Sequence, residues 1–393
     1  MKLYLQFGYG MKRLCEKNEA ALRESSVVLS PRDLTPGQAI AVGKNLGKTG
    51  GRVWFDPQMY APRSERGRLS EYDYRPQGFQ TDSTNWNTIL DRLHALNDDI
   101  GTTEFILPCR FLEKIGDVRD TVRIVEKAMR FSGPKLASLC LASPILMDPD
   151  STDILLNGIG AWPVDGFYLI AEHPEHGYFS DNPIWLANLL KLCAGIKAGG
   201  KRLVVGYCNQ QMLCLSCAGV DAIASGTWAN VRSFSLRKFE DEDETVKRKK
   251  AWYYCPETLS EFSLPFLDVA SRNRILSYLR PPAGWNASFA DVLFSGAIPS
   301  DTGFNEPAAF RHYLFCLSRQ CEEASLPSFR ERLSQQLAQL EKAKKDLSFL
   351  HRHGVRGQNR DFEEIVDVNQ TALGQFANDH SFLLDRRPDL FRT

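Results

Sequence analysis

The sequence predicts an α/β protein, a (β/α)8 TIM barrel with a C-terminal helical appendage. Three observations lead there. Short runs rich in β-branched, aromatic and leucine residues alternate with helical patterns through the first two thirds of the chain, as βα units on a parallel sheet do. Several runs are apolar at nearly every position, as expected of parallel strands covered on both faces. No G-x-G-x-x-G or G-x-x-x-x-G-K-[ST] loop follows any of them, so nothing supports an open dinucleotide-binding or NTPase sheet. A chain of 393 residues, 43% apolar and 24% charged, can bury one domain of about 250 residues and a smaller one.

The expected strands are Leu3 to Phe7, Val27 to Leu29, Val53 to Phe55, Glu104 to Leu107, Leu136 to Leu141, Gly166 to Ile170, Arg202 to Gly206 and Asp221 to Ala224. Between them, Thr35-Pro36 places a capping hydroxyl before a proline at the first helical position, with Gly47 or Gly50 as the stop. Residues 57–83, rich in Arg, Pro, Tyr and Gly, form a long loop insertion over the mouth, and a helix begins near Asn85 or Trp86. Asp117 and Asp120 favour the start of another helix, whose buried face carries Val118, Val122, Val125 and Met129. Asn182-Pro183 opens an apolar stripe that stops at Gly199-Gly200.

Beyond the eighth strand an acidic run (Glu240 to Glu244) meets a basic one (Lys247 to Lys250), read as a solvated face. Trp252 to Leu279 is expected to complete the last barrel helix. The barrel therefore covers 1–280 and a helical region 281–393. In the latter, Phe329, Leu333, Leu337, Leu340, Leu347 and Leu350 and then Phe362, Ile365, Val368, Ala372 and Phe376 predict a long helical hairpin, packed on the barrel or against another chain. Its basic turn, 351–360, reads as solvated or as a phosphate contact.

Lys plus Arg equals Asp plus Glu at 48 each, so no net field steers the chain to nucleic acid or membrane, and any such contact needs a local patch. No apolar stretch approaches the roughly 18 residues of a membrane span, and the first residues lack the regions of a signal peptide, which predicts a cytoplasmic protein. In that setting the ten cysteines are expected to be reduced. Cys208, Cys214 and Cys217 lack the ligands that would complete a zinc site, and His173 and His176 are split by Pro174, so no metal and no cofactor is expected.

The active site of such a barrel forms at the carboxyl ends of its strands. That rule collects Tyr9, Arg32, Asp56, Gln58, Tyr60, Arg110, Glu172, Asn209, Thr227 and Arg232. Asp56 and Glu172 end strands three and six, and a carboxyl pair across the mouth suits acid and base or nucleophile roles at a glycosidic carbon. Asp56 equally reads as the cap of the Pro57 turn. Ser225-Gly226-Thr227 stands where barrels hold a phosphate through backbone N–H groups.

Four segments resemble tRNA-guanine transglycosylases and their DNA-modifying relatives: the opening Leu3-Tyr-Leu-Gln-Phe-Gly-Tyr-Gly-Met-Lys12, Val53-Trp-Phe-Asp56, Val164-Asp-Gly-Phe-Tyr-Leu-Ile170, and Leu203-Val-Val-Gly206 with Gly219-Val220-Asp221. The resemblance spans about residues 1–235 and implies a (β/α)8 barrel that exchanges a base, with Asp56 at the family's first catalytic aspartate. The family's Gly-Gly-Phe-Gln is Pro57-Gln58-Met59-Tyr60 here, Ala224 stands where its nucleophilic aspartate is expected, and its Cys-x-Cys-x2-Cys zinc element is missing. Two functions are expected from these features. One is an enzyme acting on a nucleoside or nucleic-acid N-glycosidic bond, with Asp56 and Glu172 catalytic, Arg110 and Arg232 on phosphate, and Arg32, Gln58, Tyr60, Asn209 and Thr227 holding substrate. The other is a non-catalytic barrel subunit of a multi-protein nucleic-acid-processing or antiviral defence assembly, docking through the loop and the helical hairpin.

Overall fold

The structure is a computed structural model that describes residues 1–8, 10–11, 26–60, 68–75, 85–239 and 250–386. All eight expected strands form and pair in parallel: β1 (Lys2–Gln6), β2 (Ser26–Leu29), β3 (Arg52–Phe55), β4 (Phe105–Ile106), β6 (Lys135–Leu141), β7 (Gly166–Ala171), β8 (Arg202–Val205) and β9 (Ala222–Ser225). The short β5 (Phe111–Leu112) adds to β6 further along the same edge. Their order, β3-β2-β1-β9-β8-β7-β6-β4, makes the first and last barrel strands neighbours, with Leu3 opposite Ile223. Between β3 and β4 the Thr103 N–H donates to the Val53 carbonyl at 3.0 Å and Trp54 Nε1 to Thr103 Oγ1 at 3.0 Å, which leaves the barrel nearly closed.

The outer helices begin where their caps stand. Helix α1 (Pro36–Lys48) opens on a reciprocal pair: Thr35 Oγ1 accepts the Gln38 N–H while Gln38 Oε1 accepts that of Thr35. Asn85 caps α2 (Trp86–Ile100), and α3 (Val118–Ala128) follows Asp117. After β6 come α4 (Ser143–Met147) and α5 (Pro149–Ile159), and Asn182 caps α6 (Pro183–Ala198).

One expected element is different. Trp252 to Leu279 does not continue as a barrel helix but forms an antiparallel hairpin, β10 (Trp252–Cys255) and β11 (Ser260–Ser263), before α7 (Leu264–Arg272). The run Trp-Tyr-Tyr-Cys favours a pleated strand, and its tyrosines anchor it to the surrounding helices, Tyr253 donating to the Leu279 carbonyl and Tyr254 to Gln320. The helices α8 (Glu306–Glu323), α9 (Phe329–Arg352) and α10 (Glu363–Arg386) come next. The expected hairpin of α9 and α10 packs on the barrel: Arg332 donates to the Ser216 carbonyl at 2.9 Å, and Gln211 Nε2 to Asn369 Oδ1 at 3.0 Å. The acidic run at 240–244, the basic run at 247–249 and most of the 57–83 insertion lie outside the described residues.

Inside the barrel, large and small side chains alternate around the strands. Tyr4, Trp54 and Tyr168 share one buried cluster with Ala222, Ala224 and Val204, which fills the lumen rather than leaving a pore. Gly206 belongs to this fit, because a Cβ there would stand 2.4 Å from the Tyr168 hydroxyl.

Candidate active site

The Asp56 N–H extends the β2–β3 ladder by donating to the Leu29 carbonyl at 3.0 Å, which fixes the residue at the carboxyl end of β3. Pro57 then turns the chain so that the Gln58 N–H returns to Asp56 Oδ1 at 3.0 Å. The aspartate thus caps its turn, yet its second oxygen faces inward. Oδ2 accepts from the hydroxyls of Tyr60 and Tyr207, each at 3.2 Å, and those two hydroxyls also touch each other. Gln58 Nε2 donates to the Tyr207 hydroxyl at 2.9 Å, and Tyr168 donates to Gln6 Oε1 at 2.8 Å beside them.

Asp56 is 1% exposed. Burial raises its pKa from 3.8, hydrogen bonds from Gln58, Tyr207, Tyr60 and Tyr168 hold it back, and the balance is about 6. The phenols beside it shift as well: burial and the Asp56 carboxylate push Tyr60, Tyr168 and Tyr207 well above the usual phenol range. They stay neutral donors. Gln58 and Tyr207 have φ of 49° and 57°, a left-handed conformation that costs non-glycine residues energy and that clusters at functional sites.

A segment that follows β9 covers this group. The rings of Phe234 and Phe239 meet Tyr60 edge-on at 5.1 and 5.2 Å, and Phe234 meets Tyr207 at 5.4 Å. Glu172, at the end of β7, fastens that cover. Its Oε1 accepts the Leu236 N–H at 3.2 Å, and His176 Nδ1 stands 3.4 Å from the same oxygen and 3.0 Å from Ser235 Oγ. Both carboxylates stand at the carboxyl ends of barrel strands, Asp56 after β3 and Glu172 after β7. Glu172 nevertheless bonds the cover and Asp56 bonds the tyrosines.

The other expected residues divide. Gln58 and Tyr60 join Asp56 directly, and the Arg32 N–H donates to Gln58 Oε1 at 3.2 Å while its guanidinium lies 4.9 Å from the Phe239 ring centre. Arg110 is drawn aside to Asp120, at 3.3 Å, and to the Trp86 ring. Asn209 caps the helical turn Gln210–Ala218, its Oδ1 accepting the Gln211 N–H. Thr227 and Arg232 are 1% and 2% exposed. Arg232 donates to the carbonyls of Gly226 and Thr227 at 2.8 and 2.7 Å and to Glu261 Oε2 at 3.0 Å, so this loop turns carbonyls rather than N–H groups toward its cation. Tyr9 lies outside the described residues.

Gln6, Tyr168, Tyr207, Phe234 and Phe239 complete the group, and sequence reasoning missed them. For Tyr168 the signal was its alternate position in β7, which pairs it with Ser138 on the lumen side. The nine described cysteines are buried: burial pushes the Cys217 thiol up to about 12, and among the described residues no three His, Cys, Asp or Glu side chains are grouped to hold a metal ion. No family model and no curated protein matches the chain.

Proposed function

We propose that this chain is a barrel enzyme of acid–base type that acts on a nucleoside or nucleic-acid N-glycosidic bond, with Asp56 as its acid/base group. One observation carries the reading: a carboxyl at the end of a barrel strand, poised near pH 6 among neutral phenols, exchanges a proton close to neutrality. The substrate class is supported by the transglycosylase-like segments alone. In this scheme neutral Asp56 gives its proton to a ring nitrogen of the departing base as the C1′–N bond breaks. An incoming water or base bonds to C1′ and returns a proton to the carboxylate. With Ala224 at the position of the family's nucleophile, no covalent enzyme intermediate forms. Tyr60 and Tyr207 steady the ionised carboxylate, and the Phe234–Phe239 cover swings aside to admit substrate.

A second reading, a non-catalytic barrel in a nucleic-acid-processing or defence assembly, is favoured by the seal itself. Both Asp56 oxygens are bonded internally, and Glu172 bonds the cover. The test is incorporation of a labelled purine base into RNA and DNA, together with release of the resident base. The enzyme reading expects turnover that Asp56→Asn abolishes without unfolding the protein. Absence of exchange and release from either polymer and from free nucleosides, by a folded wild-type protein, rejects it in favour of the second.

A further inference from the structure

On the far side of the covering segment lies a second concave site. A cleft of about 260 Å³, just below the usual range of ligand pockets, opens between the turn after β9, the start of β10, α8 and the turn that joins α9 to α10. Its chemistry differs from that of the lumen. Trp228 and Phe310 form one wall, edge to face with ring centres 5.1 Å apart. Elsewhere on the lining, the Arg360 guanidinium lies 4.5 Å from the Trp252 ring centre. The floor is a buried ionic bridge in which Arg232 and Arg360 both bond Glu261 Oε2, at 3.0 and 2.7 Å. Burial alone would raise the Glu261 carboxyl, but Arg360 and Arg232 hold it below the usual range, so it stays ionised. Two guanidinium groups sharing one carboxylate leave a net positive charge, to which exposed Lys250 adds and against which Glu306 stands on the lining.

Aromatic faces beside a net cation suit an anion that carries a flat ring. We propose that this cleft binds a nucleoside phosphate. The base lies against the Trp228–Phe310 wall, the phosphate turns toward Lys250 and Arg360, and Glu306 accepts N–H groups at the base edge. The site does not depend on chemistry at Asp56. Ala229 and Arg232 of the covering segment line the cleft, whereas Val231 and Phe234 of that segment pack in the lumen.

Calorimetric titration of the full chain tests the proposal, with the four 5′-ribonucleoside monophosphates, a mixed-sequence RNA pentanucleotide, ribose 5-phosphate and inorganic phosphate as probes. At least one monophosphate or the pentanucleotide is expected to bind about tenfold or more tighter than ribose 5-phosphate, since a stacked base contributes that much. Binding of a monophosphate marks a free nucleotide as occupant, and binding of the pentanucleotide alone marks a strand. Trp228→Leu and Lys250→Glu should each weaken that affinity about tenfold, and Asp56→Asn should leave it unchanged. Lys250 is exposed, so its variant keeps the fold if Trp228→Leu does not. The proposal is overturned if no nucleotide outbinds ribose 5-phosphate, or if Lys250→Glu leaves the affinity as it was. Either result leaves the role of Asp56 untouched, because base exchange is measured separately.

Discussion

The charge on a single residue, Asp56, is set by burial, which favours the neutral carboxyl, against the donors that reach the charged form. Tyr207 is the most informative partner, since its hydroxyl donates to Asp56 and accepts from Gln58. Tyr207→Phe removes a bond to the charged form, so the Asp56 pKa should rise above about 6. The same change strands the Gln58 amide and should cost about 1–3 kcal/mol. Thermal melts of the variant across pH would show both effects, and a variant as stable as wild type would place the Tyr207 hydroxyl outside the network.

Among the structural elements, the covering segment after β9 is what separates the candidate carboxyl from solvent. It is anchored twice: by rings into the lumen at Phe234 and Phe239, and by backbone onto Glu172 at Leu236. Phe234 is 1% exposed, and Phe234→Ala should cost about 3–5 kcal/mol in unfolding free energy, as large buried truncations do. Chemical denaturation measures it, and a loss below about 1 kcal/mol would mean that the cover hardly packs. The barrel strands were readable in the sequence because each carries an apolar run between helix caps such as Thr35, Asn85 and Asn182. The β10–β11 hairpin was not, since an aromatic run beside leucines fits a buried strand and a buried helix alike. Asp56 and Tyr60 were readable from their place after β3, but Tyr168 and Tyr207 were not, because they meet Asp56 only through barrel closure.

Across the molecule as a whole, one buried cluster ties the barrel to the C-terminal elements. Arg232 comes from the covering segment, Glu261 from β11 and Arg360 from the turn before α10, and the Tyr178 hydroxyl donates to Glu261 Oε1 at 2.8 Å. The basic turn at 351–360 is therefore partly consumed inside the fold. Removing the shared carboxylate by Glu261→Ala would leave two guanidinium groups facing each other and should cost about 3–5 kcal/mol, read from denaturant midpoints. A neutral outcome would show that water reaches the cluster.

The proposed chemistry depends on a fold that keeps Asp56 protonated well above the ordinary carboxyl range. Because burial raises its pKa in the folded state from 3.8 to about 6, the native protein binds this proton more tightly than the unfolded chain does. That contribution to stability is present below about 3.8 and is lost as pH rises through about 6. Asp56→Asn has no such proton to lose. The decisive quantity is the difference in unfolding free energy between Asp56→Asn and wild type from pH 4 to pH 7.5. The variant should gain on wild type by about 2.4 kcal/mol over that range, with most of the change complete by the time pH has passed 6. A difference that stays flat would mean that Asp56 titrates as an ordinary exposed carboxylate, which contradicts the acid/base role proposed for it.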